Sequence, residues 1–92
     1  MKDNIIKMIM QISDYDKETI ENSEDLLKDG ILDSFATLML LNEIEKKYNI
    51  NLKFNDNLLV NLKNVDSIIN LLKKLLNKFI IFQYFINFFR KI

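Results

Sequence analysis

The 92-residue chain contains no proline and a single glycine, Gly30. Proline removes a backbone donor, and glycine is the other common helix breaker, so a chain with almost neither has little to interrupt helices. Apolar residues make up 49% of the sequence, enough for one thin core. The expected fold is all-α, within one small domain. Several chemistries fall away by composition. Without cysteine there is no disulfide framework and no thiolate, and without histidine the commonest general base and metal ligand are missing. An enzyme is therefore not expected, nor is a metal site. The N-terminus, Met1-Lys-Asp-Asn-Ile-Ile-Lys-Met, lacks the apolar run of a signal peptide, which points to the cytoplasm.

Apolar spacing places the helices. Ile5, Ile6, Met8, Ile9 and Ile12 mark a first helix over residues 4–13. A long acidic connection follows to Asp33, broken by one turn that ends at Gly30. Phe35, Leu38, Leu41, Ile44 and Tyr48 read as the buried stripe of a second helix over 34–48, with Asp33 or Ser34 as its cap. A short helix over about 56–62 turns Leu58, Leu59 and Leu62 inward, capped by Asn55 or Asp56. A last helix begins at Asn64 or Asp66 and carries Val65, Ile68, Ile69, Leu72, Leu75 and Leu76 on one face. Three main helices and one short one make a four-helix bundle.

Residues 1–78 form the expected domain, and 79–92 an apolar C-terminal helical extension. Its aromatic run is polar only at Gln83 and Asn87 before Arg90, and it is too short to span a bilayer. Phe79, Phe82, Phe85, Ile86 and Phe89 are spaced to continue the last helix's stripe, leaving apolar surface that wants a partner. Self-association or membrane contact would each supply one. Charge is uneven: residues 1–48 carry 11 acidic and 6 basic side chains, residues 49–92 carry 2 and 7. The basic residues are scattered rather than gathered in a stripe, so nucleic acid is a poor partner. The acidic half surrounds Asp33 and Ser34, where it can steer a basic partner.

The segment Asp29-Gly-Ile-Leu-Asp-Ser-Phe-Ala-Thr-Leu presents a hydroxyl at a helix start beside a carboxylate. Gly30 lets the backbone turn, Ile31 and Leu32 anchor the loop, and the first-turn amides favour a phosphate. An isolated Asp-Ser is most often only a helix cap. Asp66-Ser67 lacks the glycine loop and is assigned that capping role.

The longer run Leu26-Leu-Lys-Asp-Gly-Ile-Leu-Asp-Ser-Phe-Ala-Thr-Leu-Met-Leu-Leu-Asn-Glu-Ile-Glu, with Asn61-Leu-Lys-Asn-Val-Asp-Ser-Ile further on, resembles the acyl and peptidyl carrier protein family. It is most similar to the D-alanyl carriers, over roughly residues 4–76. The resemblance implies a four-helix carrier fold with Ser34 as the attachment point of a 4'-phosphopantetheine arm derived from coenzyme A, and Asp33 in support. It makes Ser34 a substrate of a phosphopantetheinyl transferase, not a catalytic nucleophile. An adenylating ligase would load the arm's thiol, and an acyl-accepting transferase would unload it. Phe35, Thr37 and Met39 are expected on the docking face, although Phe35 and Met39 suit the core equally. Leu62 replaces the tryptophan that the D-alanyl carriers place ahead of the last helix, and fatty-acid carriers are more acidic along the central helix. Two other readings remain: a carrier for polyketide, nonribosomal-peptide or fatty-acid synthesis, and a helical interaction module without a prosthetic group.

Overall fold

The first helix supplies the surface on which the other helices pack. In the computed structural model, which describes residues 1–52 and 61–90, α1 (Lys2–Ser13) lies against α2 (Lys17–Asn22), α3 (Ser34–Tyr48) and α4 (Val65–Arg90). The described residues are all-helical apart from turns and loops, and form a small bundle. Ile5, Ile6 and Ile9 of α1 are buried, with Met8 and Ile12 packed at the margin of the same core. The helix ends where Asp14 takes a left-handed conformation (φ 62°) and its amide donates to the Met10 carbonyl.

The connection to α3 is more ordered than its composition indicates. Within it α2 forms one and a half turns, started by Asp16, whose carboxylate accepts the Thr19 amide at 2.8 Å. Only Ile20 of this helix is buried, so no apolar period announces it. Lys2 Nζ lies 3.0 Å from Glu21, joining the start of α1 to α2, and the contact raises the lysine pKa. Hydrogen bonding from the Thr19 side chain and amide holds the Asp16 carboxyl below its ordinary value. A lowered carboxyl stabilises α2 above the ordinary carboxylate range, and that stabilisation is lost as pH falls through the lowered value. Asp16→Ala is therefore expected to abolish hydrogen-exchange protection at the Thr19 amide and to remove the acid-side loosening of α2. Unchanged protection at Thr19 would show that the cap does not hold this helix.

On α3 the buried face is Thr37, Leu40, Leu41 and Ile44, with Tyr48 half-buried. This corrects the sequence-based stripe. Leu41, Ile44 and Tyr48 lie where expected, but Phe35 and Leu38 are exposed and Leu40 is buried in their place. The helix is rotated because Thr37 can enter the core at little cost. Its Oγ1 donates to the Asp33 carbonyl at 2.7 Å, so the threonine hydroxyl is not left unsatisfied. Asn49 (φ 52°) closes the helix, with the amides of Asn49 and Ile50 both on the Glu45 carbonyl.

The expected short helix over 56–62 falls mostly outside the described residues, Leu58 and Leu59 with it. Leu62 is buried as anticipated. Asn64 caps α4, its Oδ1 accepting the Ser67 amide at 2.8 Å. Asp66 and Ser67 sit inside the first turn rather than capping it, because Asn64 already holds that position. Val65, Ile68, Ile69 and Leu72 face the core. As expected, α4 runs unbroken past Lys78 to Arg90, yet Phe82, Phe85 and Phe89 do not continue the core stripe and stand exposed. No helix among the described residues is long and apolar enough to cross a membrane.

Candidate functional site at the start of α3

The loop ahead of α3 is built around Leu26. Its side chain is fully buried, its amide donates to the Lys63 carbonyl at 2.7 Å, and its own carbonyl accepts the amides of both Ile31 and Leu32 at 3.0 Å. Asn64 Nδ2 adds a bond to the Glu24 carbonyl at 3.3 Å. The loop is thus tied to the entry of α4, and the residue that caps α4 also holds the loop. Gly30 sits at φ 76°, a conformation that costs an L side chain strain. Its amide bonds the Leu27 carbonyl, and the chain turns to bury Ile31 and Leu32. Around the turn, Ser23 Oγ donates to Asp29 Oδ2 at 2.6 Å, and Asp25 Oδ1 accepts the Lys28 amide.

With two successive residues buried, the next two emerge at the surface. Asp33 is extended (φ −105°, ψ −174°), and its Oδ1 accepts the Ala36 amide at 2.7 Å. Asp33 is therefore the cap. Ser34 is the first residue of α3, exposed, and its hydroxyl makes no hydrogen bond among the described residues. Capping accounts for Asp33 and leaves Ser34 without a structural task. The amides of Ser34 and Phe35, in the first helical turn, have no intrahelical acceptor and offer the positive end of the helix to an anion.

Phe35, Leu38 and Met39 stand beside Ser34 on the solvent side of α3, Phe35 being 72% exposed and Leu38 56%. Ser34 and Leu38 are one helical turn apart, so hydroxyl and apolar patch share a face. Thr37, expected on that face, is instead 3% exposed and belongs to the core. Leu38 is the residue that sequence reasoning missed: Leu38 and Leu41 both fitted an apolar stripe, and nothing local told them apart.

Fold and site together define a class: a small helical bundle presenting an exposed serine at a helix start, beside an exposed apolar patch. Compared with family models and with curated proteins, the chain matches none.

Proposed function

We propose that the protein is a carrier whose Ser34 bears a 4'-phosphopantetheine arm and holds an acyl or aminoacyl group on it as a thioester. The observation that carries this reading is the separation of roles at Asp33-Ser34. The carboxylate caps the helix, and the hydroxyl is left exposed at the first residue of α3, just after a loop tied to the entry of α4. The residues present suit the group. Ser34 offers the oxygen for a phosphodiester, and the unpaired amides of the first turn favour the negative phosphate. When attached, the arm supplies the thiol that this cysteine-free chain lacks. The chain's own part is to present Ser34, hold α3 in place and offer Phe35, Leu38 and Met39 to a transferase, a ligase and an acyl acceptor in turn. The protein acts as a substrate of these enzymes rather than as an enzyme, in the cytoplasm, and the resemblance favours D-alanylation over polyketide, nonribosomal-peptide or fatty-acid routes.

Incubation with coenzyme A and a broad-specificity phosphopantetheinyl transferase is expected to add one arm, seen by intact mass. Ser34→Ala is expected to abolish the addition with helicity unchanged, and Ser67→Ala to leave it intact. Modification that persists in Ser34→Ala, or maps to Ser67, overturns the assignment. If neither chain is modified, the exposed patch favours the other reading, an interaction module without a prosthetic group.

A further inference from the structure

The exposed aromatics of α4 lie on the wrong side of the helix to serve the bundle. Val65, Ile68, Ile69 and Leu72 are buried, and the same side of an α-helix comes round again at Gln83, Ile86 and Arg90. Two of those three are polar, so the core stripe ends as the helix leaves the bundle. Ile81, Phe82, Phe85, Phe88 and Phe89 fall on the opposite side, the four phenylalanines each 56–59% exposed. Phe89 packs edge-on against Phe85 and Phe88, with ring centroids 4.7 and 5.8 Å apart, which makes one continuous surface. Lys74 and Lys78 stand on that same side, one to two turns upstream, and both are exposed. The molecule measures 53 × 25 × 19 Å along its principal axes, as a long helix projecting from a small bundle requires.

Charge decides what covers this surface. After Asp66 the chain has no acidic residue, while Lys73, Lys74, Lys78, Arg90 and Lys91 are basic. A second copy laid on the aromatic face, parallel or antiparallel, brings basic groups together, and neither helix has a carboxylate after Asp66 in its first turn to pair with them. An anionic lipid surface satisfies both features: rings enter the boundary between headgroups and acyl chains, and lysines reach the phosphates. Gln83, Asn87 and Arg90 then face water. We propose that the 79–90 segment of α4 is an interfacial membrane anchor, lying in the plane of a bilayer that carries anionic lipid.

The full chain is expected to float with vesicles of phosphatidylcholine and phosphatidylglycerol, and only weakly with phosphatidylcholine alone. Lys74→Gln with Lys78→Gln should weaken the binding roughly thirtyfold, from about 1 kcal/mol for each lysine near the surface at a tenfold step per 1.4 kcal/mol. Phe82→Ser with Phe85→Ser and Phe89→Ser should abolish it while the circular dichroism of the bundle is kept. Ser34→Ala should float as the native chain does, which separates this proposal from the carrier reading. Absence of flotation, equal flotation on both vesicle types, or a dimer in sedimentation equilibrium that does not bind vesicles overturns it.

Discussion

Leu26→Ala is expected to destabilise the protein by about 2–5 kcal/mol, the range for emptying a fully buried leucine site. That is a large part of the ~5–15 kcal/mol that holds a small domain folded. The side chain is 0% exposed in a loop segment, where little else can collapse into the space. The substitution keeps the backbone bonds to Lys63, Ile31 and Leu32, so it isolates the side chain's packing. Urea denaturation should show a lower midpoint with an unchanged slope. Attachment at Ser34 should slow as well, since this loop sets where α3 begins. A loss below about 1 kcal/mol, the typical cost of an ordinary substitution, would mean that the loop is anchored by its backbone bonds alone.

Phe35→Ser combined with Leu38→Ser should have the opposite profile. Both side chains are exposed on the face shared with Ser34, so their removal should leave the thermal midpoint unchanged or slightly higher. Fewer than a third of interface residues cost more than about 1 kcal/mol when truncated, and those cluster at the centre of the interface, where the proposed docking at Ser34 puts Phe35 and Leu38. Arm attachment by a transferase is therefore expected to slow by roughly tenfold or more, read as kcat/KM at limiting carrier. Thr37→Val, by contrast, should leave attachment nearly unaffected and act on stability, because Thr37 lies in the core. Normal kinetics in the double variant would remove the patch from the docking surface. A kinetic defect in Thr37→Val without loss of stability would return that residue to it.

The extents of α1 and α3 were legible to within a residue or two, and so was the run of α4 past Lys78. Helical spacing over ten residues or more is a strong signal when no proline and one glycine interrupt it. The loop's anchors, Ile31 and Leu32, were equally legible, because two apolar residues after a glycine have nowhere else to go. The helix α2 was not. Six residues with one buried isoleucine carry no period, and the only local signal was Asp16, a preferred cap three residues before Thr19.

What the sequence determined alone was therefore local: helix content, the positions of the long elements, the turn at Gly30 and the serine at the start of α3. Tertiary structure decided which way each helix faces. Phe35 and Leu38 yield to Leu40 and Thr37 on α3 because α1 packs against that side and the Asp33 carbonyl satisfies the threonine hydroxyl. In the same way, α4 leaves Phe82, Phe85, Phe88 and Phe89 exposed, on the side away from its own core residues. A helix carrying apolar residues on more than one side has several stripes that fit its period, and only the neighbours it packs against select one.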